Sequence, residues 1–89
     1  MVSLKSPDGG TTIFFFGRLA EQVGSECKVL LPPAGCTIAD LRDRLSRQDG
    51  YGALAEGKIL ASADQRIVPD DHLVRAGQEI AFFSPLSGG

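Results

Sequence analysis

The two most apolar segments of this 89-residue chain lie close to its two ends, and this placement limits the possible folds. Residues 11–16 and 79–84 are rich in β-branched and aromatic side chains, which is typical of strands. The most apolar strands of a mixed sheet lie in its centre, so we expect these two strands to pair. Their positions in the chain require a parallel pairing, with a helical crossover between them.

One substantial helix is predicted between these strands, and it begins at Thr37. The Thr37 hydroxyl can cap the helix, and Asp40 three residues later completes a pattern that resembles a capping box. Ile38, Leu41 and Leu45 follow at helical spacing and form one apolar stripe. The charged residues are expected on the solvated faces of this helix: Arg42, Asp43, Arg44 and Arg47.

Shorter elements complete the pattern. We expect a short helix over residues 18–23, ended by Gly24, and strands over 27–31, 58–63, 66–68 and 73–74. One helix packed across one face of a mixed sheet is the economical two-layer solution for this length. The prediction is therefore an α+β protein with the β-grasp, or ubiquitin-like, fold. Residues 11–84 form the domain, 1–10 a leader, and 85–89 a carboxyl-terminal tail.

The charge balance excludes several classes of protein. Nine basic and eleven acidic residues give a net charge of −2, and no basic face for nucleic acid is evident. No apolar run approaches the roughly 20 residues that a membrane span needs. The first ten residues are polar and contain no signal-peptide core, so a cytoplasmic location is expected.

A catalytic or metal site is not predicted. Cys27, Cys36 and His72 are too few for a tetrahedral zinc site at the usual spacings. Each cysteine is most simply a small buried hydrophobe, and a disulfide between them stays open. The chain contains no glycine-rich nucleotide motif and no nucleophile elbow, so we expect no active site of its own and no permanently bound cofactor.

The chain ends in Gly88-Gly89, and these two residues are candidates for a chemical role. Glycine has no Cβ, so two glycines form the thinnest backbone available, which can pass through a narrow channel. From Ser84 to Gly89 the extended chain reaches roughly 20 Å, enough to present the terminal carboxylate inside a partner. The alternative is that the two glycines are simply a frayed end.

The two apolar strands also predict an exposed patch beside the tail. Side chains alternate between the faces of a strand, and a single helix covers only one face of the sheet. If Ile13, Phe15, Ile80 and Phe82 face the helix, their neighbours face outward: Phe14, Phe16, Ala81 and Phe83. Exposed apolar patches mark partner surfaces. The alternative is that a loop or the leader covers this one.

Three stretches of the sequence resemble a known family. They are residues 13–24 (IFFFGRLAEQVG), residues 37–41 (TIADL) and residues 76–89 (AGQEIAFFSPLSGG). They are similar to the MoaD/ThiS sulfur carriers, and the ending Phe-Phe-x-Pro-x-Ser-Gly-Gly resembles the molybdopterin branch of that family. Gln78, Asp64 and Ser84 depart from the residues that the family favours.

The resemblance implies a mechanism that ends at Gly89. A ubiquitin-activating-type enzyme uses ATP to adenylate its carboxylate, and a sulfur donor of the cysteine desulfurase or rhodanese type converts it to a thiocarboxylate. The large subunit of molybdopterin synthase, in a two-plus-two heterotetramer, then passes the sulfur to cyclic pyranopterin monophosphate. Gly88, Ser87, Leu86 and Pro85 would enter the large subunit.

The same resemblance assigns Phe83 and Phe16 to partner docking, beside Phe14 and Ala81. It leaves three other functions open: sulfur delivery to thiamine or cysteine, a ubiquitin-like protein modifier, and an interaction module whose Gly-Gly end is incidental.

Overall fold

The computed structural model describes residues 10–56 and 58–85 of the chain. The helices are α1 (Gly17–Val23) and α2 (Ile38–Ser46), with a short 3₁₀ helix at Gly52–Ala55. The strands are β1 (Thr11–Phe16), β2 (Glu26–Val29), β3 (Cys36–Thr37), β4 (Leu60–Ala63), β5 (Arg66–Val68), β6 (Leu73–Val74) and β7 (Ile80–Phe83). The predicted leader, except Gly10, lies outside the described residues.

Five strands form a mixed sheet in the order β2-β1-β7-β4-β5. The first and last strands are neighbours in its interior and run parallel, with Phe15 opposite Phe82, which confirms the predicted pairing. The other strand pairs of the sheet are antiparallel. The predicted β-grasp architecture is confirmed. A second sheet of two residues per strand, β3 with β6, was not predicted, because Cys36–Thr37 is too short to show a strand pattern.

Helix α2 packs against the sheet through the predicted apolar stripe. The backbone N–H groups of its first turn donate hydrogen bonds to both side-chain and main-chain acceptors. Ile38, Leu41 and Leu45 are buried, and the Thr37 Oγ1 accepts a hydrogen bond from the Asp40 backbone N–H at 3.1 Å. The backbone N–H of Ile38 donates to the His72 carbonyl at 3.0 Å. The segment before β6 therefore satisfies a helix donor that would otherwise lack a partner.

The prediction that Arg42 lies on a solvated helix face is wrong. Its side chain is only 19% exposed, and its Nη1 donates to Asp70 Oδ2 at 3.0 Å. Its Nη2 donates to the Ile59 carbonyl at 3.3 Å, and its guanidinium lies 6.0 Å from the centre of the Phe82 ring. The turn that carries Asp70 folds beside α2 and covers this arginine, whereas Arg44 and Arg47 remain exposed.

The turn between β4 and β5 is joined by hydrogen bonds of the Asp64 side chain to the two residues that precede β7. Asp64 and Gln65 have φ values of 52° and 72°, the positive pair that a tight two-residue hairpin requires. Asp64 accepts hydrogen bonds from Gln78 Nε2 at 2.8 Å and from the Glu79 N–H at 3.1 Å. The Gln78 amide holds the pKa of the Asp64 carboxyl below its usual value, and the Glu79 N–H adds to this effect.

Candidate functional site

The predicted tail begins where the two central strands end. Because β1 and β7 are parallel and in register, Phe16 lies opposite Phe83, and Ser84 and Pro85 follow directly. Both Ser84 and Pro85 are half-buried. The remaining predicted tail residues lie outside the described part of the chain: Leu86, Ser87, Gly88 and Gly89.

The side chains of β1 alternate as the sequence predicts. Ile13 and Phe15 are fully buried against the helix side of the sheet, whereas Phe16 is 53% exposed. Phe14 is half-buried and stacks on Phe16, with ring centres 6.4 Å apart and planes within 5° of parallel. The two rings form one flat apolar surface that reaches the end of β1 beside the first tail residues.

Ala81 was predicted to contribute to that surface, but it does not. It faces outward by strand alternation, between Phe14 on one side and Ser62 on the other, yet it is only 4% exposed. The Phe14 ring on the neighbouring strand is much larger than the Ala81 methyl group and shields it from solvent. Phe83 is half-buried and keeps part of its ring accessible.

Two outward residues were missed by the sequence analysis. Leu60 lies opposite Phe83, and Ile67 lies opposite Ser62 in the outer row and is 68% exposed. The alternation Leu60-Ala61-Ser62-Ala63 could have placed Leu60 outward. Ile67 belongs to a three-residue strand, too short to show which face it uses. We call Phe14, Phe16, Leu60, Ile67 and Phe83 together the outer patch.

A cleft of about 300 Å³ lies beside Ser84, the residue that precedes the tail. Its lining comes from α1, the 3₁₀ helix and the segment before β4: Arg18, Leu19, Gln22, Ala53, Glu56, Lys58, Ile59 and Ser84. Within the described ranges neither Arg18 nor Lys58 forms an ion pair. The point where the tail leaves the domain is therefore apolar on the sheet face and mainly basic on this flank.

The described residues contain no metal-binding cluster. Within residues 10–56 and 58–85 no group of three or more His, Cys, Asp or Glu side chains could bind a metal ion. Cys27 and Cys36 are free thiols, and burial raises the pKa of both, which lowers their reactivity.

Within residues 10–56 and 58–85, the helices are too short or too polar to cross a membrane.

The chain matches the model of the ThiS family over residues 13–89, a range that includes the terminal diglycine. It is 35% identical over 79 residues to the molybdopterin synthase sulfur carrier subunit of Escherichia coli, covering 86% of this chain and 96% of that protein. The protein of the same name from Haemophilus influenzae is 33% identical over the same shares of the two chains.

Solved structures show the same fold. SAMP1 from Haloferax volcanii superposes with a TM-score of 0.68 at 27% identity, over 91% of this chain and all of that one. A putative molybdopterin converting factor subunit 1 from Pyrococcus furiosus gives a TM-score of 0.70 at 19% identity, over 85% of this chain and 97% of that one. With a family match across nearly the whole domain and relatives that carry sulfur, the chain belongs to the ThiS family of sulfur carriers.

Proposed function

We propose that this chain is the sulfur-carrying small subunit of a molybdopterin synthase, and that the α-carboxylate of Gly89 carries the sulfur. The observation that carries this proposal is the family match that continues through the last residue, together with the shared name of the two relatives.

The chemistry requires activation of the carboxylate. A free carboxylate is anionic and resists nucleophiles, so an adenylating enzyme joins it to the α-phosphate of ATP and releases pyrophosphate. A persulfide on the sulfur donor then displaces AMP, and a thiol attacks the resulting acyl disulfide, which releases a thiocarboxylate at Gly89 and leaves the donor as a disulfide. The thiocarboxylate sulfur attacks cyclic pyranopterin monophosphate, and water then cleaves the bond between the Gly89 carbonyl and that sulfur, which returns Gly89 to a carboxylate. Two such transfers complete the dithiolene.

The fold supports a division of labour between two subunits. The large subunit would bind the outer patch and supply the catalytic side chains, while this chain supplies the sulfur on its last residue. Ordering each tail residue costs about 1–2 kcal/mol, so contacts on the outer patch would offset that cost. Phe16 and Phe83 are the best placed to do so, because they adjoin Ser84.

The proposal is tested by intact mass. After incubation with an adenylating enzyme, ATP and a sulfur source, the chain should gain about 16 Da, sulfur replacing one oxygen at Gly89. A variant that lacks Gly89 and a variant with one residue added beyond it serve as controls, and neither should support dithiolene formation. An unchanged mass of the unaltered chain, or full activity of an extended chain shown to be unprocessed, contradicts the proposal.

A second candidate function is a protein modifier joined to lysines. The similarity to SAMP1, at 27% identity and over almost the whole of both chains, favours it, because a solved relative from the same archaeon is a small archaeal modifier protein. This function would give isopeptide adducts between Gly89 and lysine side chains in cells. Adducts with no thiocarboxylate would favour the modifier over the sulfur carrier.

A further inference from the structure

A second groove lies between α2 and β2, away from the outer patch. Its volume is about 280 Å³, and its lining combines apolar and basic residues: Lys28, Val29, Leu30, Leu41, Arg44, Leu45 and Gln48. Leu41 and Leu45 are buried at its base. Leu30, at its mouth, is 71% exposed, the highest value among the exposed large hydrophobic residues described. Together with Val29 and the base of the groove, Leu30 forms one continuous apolar surface, and such surfaces mark interaction sites.

Strand β2 borders this groove and is the edge of the five-stranded sheet. Among the described residues, no strand pairs with its outer side. The Phe15 N–H donates to the Ser25 carbonyl, so in this antiparallel register Cys27 and Val29 exchange hydrogen bonds with β1. Glu26 and Lys28 therefore direct their backbone N–H and C=O groups away from the sheet, where another strand can pair with them.

The charge of the groove indicates what kind of strand fits it. Two of the lining residues, Lys28 and Arg44, are basic and none is acidic, although the whole chain has a net charge of −2. Asp40 is the nearest acidic partner of Arg44, at 3.7 Å from its Nε, an exposed pair of little strength. The groove therefore favours acidic side chains in its occupant.

We propose that this groove binds an extended, acidic and apolar segment of a partner protein, which adds to β2 as a further strand. Its main chain would pair with Glu26 and Lys28. On the α2 side of the sheet its side chains would contact Val29 and Arg44, and on the opposite side, where Lys28 lies opposite Thr12, they would contact Lys28 and Leu30. Each face of the added strand would therefore carry both an apolar side chain and a carboxylate. This is the strand-addition mode of peptide recognition, with affinity from the main chain and specificity from the side chains.

Two other occupants fit less well. A second copy of this chain would bring a second β2 edge, and a lysine such as Lys28 on an edge strand opposes that pairing. Residues 1–9 contain one lysine and one aspartate, Lys5 and Asp8, so they carry no net negative charge to match the basic lining.

The groove and the tail can be occupied at the same time. Val29 lies opposite Thr11 at the start of β1, whereas Phe83 lies opposite Phe16 at its end. These two ends of β1 are roughly 17 Å apart at about 3.3 Å per residue. The proposal is therefore independent of the sulfur-carrier function, and its test does not depend on sulfur transfer.

The test is a titration of the ¹⁵N-labelled full chain, followed by NMR, with an eight-residue peptide that repeats the unit Val-Val-Glu-Glu. In an extended strand this repeat places both valine and glutamate on each face. We expect amide shifts at Lys28, Val29, Leu30, Arg44 and Gln48. Leu30→Ser and Arg44→Glu should each weaken binding about tenfold or more. Ile67→Ser, which changes a similarly exposed residue on the opposite edge strand, should bind like the unaltered chain. The spectrum of each variant verifies that it is folded.

Each of the following results would overturn the proposal. The first is that millimolar peptide causes no change in the amide shifts. The second is that a peptide with lysine in place of glutamate binds equally well. The third is that the shift changes are confined to the outer patch. Groove shifts that depend on protein concentration without peptide would assign the groove to a second copy. Groove shifts caused by deleting residues 1–9 would assign it to that segment. Because thiocarboxylation is read separately by mass, failure here leaves the proposed function intact.

Discussion

Gly35 is a residue at which the fold leaves no room for a side chain. It ends the turn after Pro32-Pro33, where its N–H donates to the Pro32 carbonyl at 2.8 Å, and its φ is 87°. A Cβ at this position would collide with the Val74 carbonyl oxygen and lie 2.9 Å from Arg75 Cγ. The turn can therefore approach β6 closely enough for Cys36 to pair with Val74 only because position 35 is glycine.

Gly35→Ala should lower the free energy of unfolding by about 3 kcal/mol, since positive-φ strain and a backbone collision add. The matched control is Gly50→Ala, with a similar φ of 88° and nothing within 4 Å of its Cβ, for which about 1 kcal/mol is expected. Urea unfolding measures both. Equal losses for the two variants would show that the contact with Val74 is unimportant.

At the scale of elements, Arg42 joins helix α2 to three other parts of the fold. It lies on α2, pairs with Asp70 in the turn before β6, donates to Ile59 before β4, and covers the Phe82 ring on β7. The helix is thus attached to the sheet by a polar bridge as well as by its apolar stripe. This bridge gives the stability of the protein a pH dependence.

The hydrogen bonds from Arg42 lower the pKa of Asp70 in the folded chain. A lowered folded-state pKa means that this stabilisation is complete above the unfolded value of about 3.9 and is lost as the pH falls through the lower folded value. Asp70→Asn should therefore reduce the loss of stability between neutral and acid pH, as measured by thermal unfolding at a series of pH values.

Part of the acid dependence should remain in Asp70→Asn, because the Asp64 carboxyl is also held at a lowered pKa. Asp71→Asn is the matched control, since within the described residues Asp71 forms no ion pair with Arg42. A pH profile of Asp70→Asn that matches the unaltered chain would contradict this role for the bridge.

At the scale of the whole molecule, the sheet places the outer patch beside the start of the tail, at the end of the two central strands. Phe83→Ala should weaken binding of the large subunit by about 2 kcal/mol or more if this ring anchors the partner, as buried aromatic residues often do. Isothermal titration calorimetry measures the effect. Leu73→Ala is the control, because Leu73 is exposed but lies on β6 of the other sheet. Equal binding constants for the two variants would remove Phe83 from the interface.

The tail adds a second prediction at this scale. Gly88→Val should abolish sulfur transfer with little change in thermal stability, because a β-branched side chain widens the chain next to the reacting carboxylate. Single-turnover assays with the loaded chain measure transfer, and unfolding measures stability. The control is Ser87→Ala, which does not widen the tail and should transfer sulfur normally. Normal transfer by Gly88→Val would contradict a narrow channel in the partner.

Local chemistry was sufficient to predict the strands at both ends, the Thr37 cap, the buried stripe of α2 and the exposed Phe16 ring, because these depend on residues a few positions apart. The terminal diglycine was also evident from the sequence alone. Other features depend on residues distant in the chain. Arg42 meets Asp70 across 28 positions, Ala81 is hidden by its neighbours, and Ile67 joins the outer patch through pairing. The periodicity of apolar residues in the sequence does not predict such contacts, because the packing of the complete sheet and helix decides which side chains meet.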